Sequence, residues 1–129
     1  MKVYISGSYS EQRRLREAAD RLHKLGHQIT GTWLNEVIKP DHLTENQWYK
    51  SLALKDLAEV AAADAIILDL DGVTTSGGRY VEWGFALGRF NMLKVIVGGS
   101  HYGVFNTLAD EAYNNWDELI QSWETTRAI

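Results

Sequence analysis

The stretch Asp69–Arg89, DLDGVTTSGGRYVEWGFALGR, decides how this chain is read. The apolar run Ala65-Ile66-Ile67-Leu68 enters it, and an apolar segment from Tyr80 to Gly88 leaves it. A short β-branched run bounded by turn residues predicts a buried strand, and the segment after Gly78 predicts a helix. Between them lies a polar crossing that carries Asp69, Asp71, Thr74, Thr75, Ser76, Gly77 and Gly78. A strand–loop–helix unit of this kind belongs to an open α/β sheet, where ligands bind at the carboxyl ends of the strands.

Glu82 stands out in that helix, which is otherwise apolar nearly all round and therefore expected to be buried. A carboxylate near the start of such a helix needs a partner, a cavity or a ligand. One reading is that acids favour helix N-termini, where the dipole is worth about 0.3–1 kcal/mol. The other is a nucleophile, kept ionised by the helix end and aimed into the cleft of the preceding loop.

Working outward, Lys2–Ser6 reads as a first strand, and Ser8-Tyr9-Ser10-Glu11 fits a capping box that opens a helix. Leu15, Ala18, Ala19, Leu22 and Leu25 recur at helical spacing until Gly26 stops the helix. His27–Thr30 reads as a short second strand, and Gly31–Leu43 as a long loop holding the only proline, Pro40. Thr44-Glu45-Asn46-Gln47 is a second capping box, opening a helix to about Ala63. Asp56 falls on the stripe of Tyr49, Leu52, Ala53 and Val60, where it is either a cleft acid or the cap of a second, short helix. Beyond the central unit, Leu93–Val97 makes a fourth strand. Val104–Asn106 is a short fifth strand or a turn, and Leu108 to about Glu124 is a C-terminal helix. Strands alternating with helices predict an α/β fold, a single flavodoxin-like or Rossmann-like three-layer sandwich spanning residues 1–129. Its five-stranded parallel sheet is expected in the order 2-1-3-4-5.

Composition narrows the function. The net charge of −4 gives no electrostatic footprint for a nucleic-acid polymer. A small phosphorylated ligand remains open, because backbone amides can cradle phosphate. No segment reaches the roughly 20 apolar residues of a membrane span. The N-terminus runs straight into a strand without a signal-peptide core, so a cytoplasmic location is expected. The chain has no cysteine, and His23, His27, His42 and His101 lack metal-ligand spacing and read as solvated surface histidines. No G-x-S-x-G elbow and no dinucleotide fingerprint occur. Carboxylate chemistry is left: Asp56, Asp69, Asp71 and Glu82 can be brought to one sheet edge. Glycosidic bonds are cleaved by one carboxylate acting as nucleophile and a second group acting as acid. Nothing in this chemistry needs a cofactor.

Three motifs then stand in order: Tyr4-x-x-Gly7-Ser8, Asp56-Leu57 ahead of Ala63-Asp64, and Ser76-x-Gly78-x-x-x-Glu82-x-Gly84. On these residues the chain resembles the nucleoside 2-deoxyribosyltransferases and their relatives, the 2'-deoxynucleoside 5'-phosphate N-hydrolases, from residue 2 to residue 107. The resemblance implies that Glu82 attacks the anomeric carbon, Tyr4 orients that carboxylate and Asp56 acts at the leaving base. It places Gly7, Ser8, Ser76, Gly78 and Asp69 around the rest of the substrate. Ser76, and Gly7-Ser8 in place of Gly-Pro, resemble the monophosphate hydrolases, whereas Asn106 resembles the transferases, which take an Asn here from a neighbouring subunit. A homodimer or larger assembly is implied. Arg79 is a phosphate ligand or a solvated loop residue. Trp33 is a candidate to line or cover the base, and Trp48 reads as core. The related phosphoribohydrolase loop does not fit, because only three residues separate Gly78 from Glu82. A nucleotide-binding module without turnover is the competing class, and retention of both Glu82 and Asp56 favours an enzyme.

Overall fold

The computed structural model describes residues 1–36, 38–72, 77–98 and 103–127. Strands β1 (Lys2–Ser6), β2 (Gln28–Ile29), β3 (Ala65–Asp69), β4 (Leu93–Val97) and β5 (Glu111–Tyr113) form one parallel sheet in the order β2-β1-β3-β4-β5. This is the topology expected from the sequence. Helices α1 (Gln12–Lys24) and α4 (Trp116–Thr126) meet on one face, and α2 (Glu45–Ala61) and α3 (Gly78–Leu87) meet on the other. All five residues of β3 are buried, as a central parallel strand covered on both faces requires. Each fully buried Ile or Leu there contributes about 1.5–3 kcal/mol relative to exposure. No described helix is long and apolar enough to cross a membrane.

Parallel register decides which side chains share a face. Ser6 pairs with Leu68 and Tyr4 with Ile66, so Tyr4 and Ser6 lie on the α2/α3 face. Asp69 is one residue beyond Leu68 and therefore points to the α1/α4 face. Gly98 ends β4 at φ +133°, and a Cβ there would stand 2.7 Å from the Asp71 amide nitrogen. Glycine alone fits that turn.

Several local expectations change. Ser8 makes no side-chain cap. Tyr9–Glu11 is one 3₁₀ turn, and the Glu11 carboxylate binds Arg14 Nε at 2.9 Å rather than closing a capping box. The second box does form, with Thr44 Oγ1 accepting from the Gln47 amide and the Gln47 side chain accepting from the Thr44 amide. Val104–Leu108 is a 3₁₀ turn, not a strand; β5 follows at Glu111–Tyr113, and α4 begins eight residues later than Leu108. Asn115 supplies its cap, accepting from the Glu118 amide. His27 is buried, not solvated: its Nδ1 accepts from the N-terminal ammonium at 3.1 Å, its ring meets Trp123 edge-on, and burial lowers its pKa.

Candidate active site

Three elements converge on Glu82. β1 carries Tyr4 and Ser6 on one face, both fully buried, and α3 lies across that face. The Tyr4 hydroxyl donates to Glu82 Oε2 at 2.6 Å, and Ser6 Oγ donates to Oε1 at 2.7 Å. Both carboxylate oxygens are thus held by neutral hydroxyls rather than by a cation. Burial is the largest influence on Glu82 and raises its pKa to about 7; the Tyr4 and Ser6 hydrogen bonds pull it down, and the charges of Asp56 and Glu59 push it up. The same burial and the adjacent Glu82 carboxylate raise the Tyr4 phenol far above its ordinary value. α3 starts at Gly78, which puts Glu82 in its second turn. The pull of a helix end fades within the first turn, so the dipole does not explain this carboxylate.

α2 brings Asp56 to the same place. The helix runs unbroken from Glu45 to Ala61 and has its cap at Thr44, so Asp56 is mid-helix and caps nothing. Its Oδ1 is buried without a partner among the described residues. Burial raises Asp56 to about 6, with Lys55 lowering it and Glu59 raising it. Glu59 is occupied: both its oxygens accept from the Thr32 amide at 3.2 Å. Lys55 forms an ion pair with Glu36. A buried carboxyl oxygen with no partner calls for one, whereas its neighbours are already engaged.

The two tryptophans exchange roles. Trp33 is buried, its indole donates to the Ile5 carbonyl at 2.8 Å, and it packs behind Tyr4 as part of the core. Trp48 is half-buried and lines a cleft of about 470 Å³ with Tyr9, Tyr49, Leu52 and Glu36. Glu36 links this cleft to the carboxylates through Lys55, the neighbour of Asp56. A hollow of about 690 Å³ between α1 and β2 contains none of these carboxylates.

Asp69 does not join the site. Its carboxylate is fully buried on the opposite face, where Arg14 Nη1 donates to Oδ1 at 3.1 Å, Arg14 Nη2 to Oδ2 at 2.5 Å, and Trp116 Nε1 to Oδ1 at 2.9 Å. Asp71 is exposed on that same side, beside Arg14 and Trp116. Gly7 belongs there too, since a Cβ at this position would stand 2.5 Å from Leu15 Cδ1 and 3.5 Å from Asp69 Cβ. Ser8 is buried, with its hydroxyl 3.2 Å from that of Ser10. A Cβ on Gly78 would meet nothing within 4 Å among the described residues. Arg79 is buried rather than solvated, and its Nη1 donates to the Asp69 carbonyl at 3.2 Å. Asn106 is buried in the 3₁₀ turn after β4. Ser76 lies outside the described residues.

Ser6 and Arg14 were not legible as site or anchor residues. For Ser6 the signal was present: it stands two residues after Tyr4 on a strand, and therefore on the same face. Arg14 reads as one of several solvated helix charges, and only the register of β3 shows why it turns inward.

The fold and this carboxylate cluster define an open α/β sheet with a polar site at the carboxyl ends of its strands. No protein-family model and no curated protein matches the chain. Among solved structures it is similar to the 2-deoxyribosyltransferase of the psychrotolerant bacterium Bacillus psychrosaccharolyticus, with a TM-score of 0.75 and 13% identity over 93% of this chain and 90% of that one. It is also similar to a conserved protein from Enterococcus faecalis V583, at a TM-score of 0.71 and 18% identity over 98% of both chains. A third similar structure is the CMP N-glycosidase of Clostridium botulinum, at 0.60 and 17%, over 98% of this chain and 99% of that one. At these identities the likeness establishes a shared fold.

Proposed function

We propose that this chain is an enzyme of the nucleoside 2-deoxyribosyltransferase-like family that cleaves the N-glycosidic bond of nucleoside 5'-monophosphates and releases the free base. The observation that carries the reading is the Glu82 carboxylate, gripped by the Tyr4 and Ser6 hydroxyls, with the unpartnered Asp56 carboxyl beside it. Two of the fold's structural neighbours, a deoxyribosyltransferase and a CMP N-glycosidase, support N-glycosidic chemistry. Glu82 attacks the anomeric carbon, and the C–N electron pair leaves with the base, which takes a proton from Asp56. In the protein alone, burial raises both Glu82 and Asp56 above the ordinary carboxylate range. A sugar developing positive charge beside Glu82 favours its ionised form, and a base developing negative charge beside Asp56 favours the acid. The substrate therefore sorts the two protonation states. Trp48 and Tyr9 offer flat faces for the base in the adjoining cleft. By the family resemblance, Ser8, Ser76 and Gly78 would hold the phosphate, and the backbone amides of a helix start suit a dianion.

Base exchange between free deoxynucleosides is the second reading, supported by the similarity to the Bacillus deoxyribosyltransferase. A product analysis separates the two. The protein is incubated with paired nucleosides and monophosphates, with and without an added base. Sugar phosphate and free base are expected, at a kcat/KM at least about a hundredfold higher for monophosphates, the worth of two charge-assisted hydrogen bonds. Equal use of nucleosides with efficient base exchange would select the transferase. No base release from any substrate would reject both.

Self-association belongs to the same proposal. Tyr80 on α3 is exposed beside Phe105 and Leu108, around a hollow of about 480 Å³ also lined by Trp83 and Leu87, and Val81 and Phe85 are exposed on the same helix. A clustered apolar surface of this kind suits a second copy of the chain. Light scattering at micromolar concentration should give at least a dimer, and a monomer would remove this part of the reading.

A further inference from the structure

Tyr4 and Ser6 hold the two oxygens of Glu82 in different ways. The Tyr4 hydroxyl has Oε2 as its acceptor. Ser6 Oγ, fully buried, stands 2.7 Å from Oε1 and also 3.2 Å from the carbonyl of Arg79, one turn back on α3. A serine has one proton to donate, so two acceptors within reach make a choice. The shorter distance selects the carboxylate while Glu82 is ionised.

That choice matters if Glu82 reacts, a condition that rests on the function proposed above. When a carboxylate oxygen bonds to the anomeric carbon it becomes the bridging oxygen of an ester, a poor acceptor. A hydroxyl bound to it would be left buried and unsatisfied, which costs more than a hydrogen bond is worth. Tyr4 loses nothing if Oε2 becomes the ester carbonyl. Ser6 loses nothing if its proton turns to the Arg79 carbonyl.

We propose that Ser6 is a positioning residue for Glu82, presenting Oε1 as the attacking oxygen and passing its hydrogen bond to the Arg79 carbonyl as the glycosyl ester forms. A lone pair of Oε1 forms the bond to the anomeric carbon, the C–N bond breaks, and its electron pair leaves on the base with the proton of Asp56. Water then attacks the same carbon and gives a proton back to Asp56. The bond to Oε1 breaks, its pair stays on Glu82, and Ser6 returns.

The groups acting on Glu82 are Tyr4 and Ser6 from β1 and Asp56 and Glu59 from α2, with the backbone carbonyl of Arg79 on its own helix beside Ser6. Ser6→Ala removes a single oxygen from this set and touches no charge. The test titrates ¹³C-labelled glutamate carboxyls by NMR in the wild type, Ser6→Ala and Ser6→Thr, alongside kcat/KM against pH. Losing a donor to the ionised form should raise the Glu82 midpoint by about one pH unit. The acid limb of kcat/KM should move with it, and the rate below that limb should drop about tenfold. Ser6→Thr keeps the hydroxyl and should restore both. An unmoved midpoint in a Ser6→Ala protein of unchanged melting temperature overturns the proposal. The titration needs no substrate, so it judges Ser6 even if no base is released. A moved midpoint without a moved acid limb would count against Glu82 as nucleophile and for the Ser6 contact. A crystal structure of the ester trapped with a 2-fluoro nucleotide tests the choice of oxygen. Ser6 is expected on the Arg79 carbonyl with Tyr4 still on Glu82, and the reverse arrangement overturns it.

Discussion

Asp69 and Glu82 are both carboxylates near the carboxyl edge of the same sheet, and the sheet stands between them. Asp69 faces α1 and α4, where the fork of Arg14 and the indole of Trp116 satisfy both its oxygens. Glu82 lies on the α2/α3 face, where its partners are two neutral hydroxyls of β1, and the charges acting on it, Asp56 and Glu59 of α2, are of its own sign. Asp69 in turn raises the pKa of Arg14 through its hydrogen bonds, while burial above all pushes Glu82 up to about 7. A buried acid that only holds the fold is given a cation. A buried acid left without one is expensive to ionise, and such an arrangement marks a reactive group more often than a structural one.

Glu82→Gln tests that contrast with the largest expected effect. Base release should fall at least about a thousandfold, as for loss of a covalent nucleophile. The fold should not suffer. Because the folded-state pKa of Glu82 is raised from 4.5 to about 7, its contribution to stability is fully present below about pH 4.5 and is lost as the pH rises through about 7. Removing the ionisable group removes that loss. The variant should therefore match the wild type at pH 5 and exceed it in melting temperature at pH 8, by an amount corresponding to at most roughly 3 kcal/mol. A variant that unfolds at both pH values would make Glu82 a structural acid like Asp69.

Next in size is Asp56→Asn. An amide can hydrogen-bond the departing base but cannot protonate it, so natural substrates should slow by about a hundredfold or more. Substrates whose leaving group needs no proton should be slowed far less. Equal losses on both kinds of substrate would reduce Asp56 to a contact.

Asp69→Asn should show the opposite pattern, in stability rather than rate. Arg14 loses its buried counter-charge, and thermal or urea unfolding should report a loss of about 2 kcal/mol or more, the scale of a charge-assisted hydrogen bond. The folded fraction should keep its kcat. A specific loss of rate without a loss of stability would return Asp69 to the substrate side.

The sequence carried much of this, for identifiable reasons. Hydrophobic runs of strand length, separated by amphipathic α1, fixed the sheet order, because a parallel sheet buried on both faces leaves few alternatives. The three motifs brought Tyr4, Asp56 and Glu82 forward, and the fold brings those three together. What failed was a matter of register and of side. Whether Asp69 points to α1 or to α3 depends on pairing Leu68 with Ser6, which no local pattern in β3 reveals. The fifth strand is only Glu111–Tyr113, too short to show an alternation, so Val104–Asn106 attracted the reading instead. Trp33 and Trp48 were exchanged because size alone does not tell a core ring from a cleft ring. Trp33 stands two residues after Gly31, where an added Cβ would lie only 3.3 Å from the rings of both Tyr4 and Trp33.

Two glycines carry the comparison to its smallest test. Gly7, at the end of β1, sits on the Asp69 side and is closed in, since a methyl group added to it would lie 2.5 Å from Leu15 Cδ1. Gly78, the first residue of α3, sits on the Glu82 side, and such a methyl on it would meet nothing within 4 Å among the described residues. Gly78→Ala should therefore leave stability within about 0.5 kcal/mol of the wild type, as for other open surface changes. The methyl would nonetheless stand where the proposed phosphate approaches the backbone amides of the helix start. For monophosphates kcat/KM should fall about tenfold, the cost of displacing one charge-assisted hydrogen bond, while any activity on free nucleosides should be unchanged. Kinetics with a matched nucleoside and monophosphate pair read the difference directly. Equal effects on both substrates would move the phosphate away from the start of α3, and with it the preference for monophosphates. An effect confined to the monophosphate would tie that preference to a position whose substitution costs the fold almost nothing, on the same side of the sheet as Glu82.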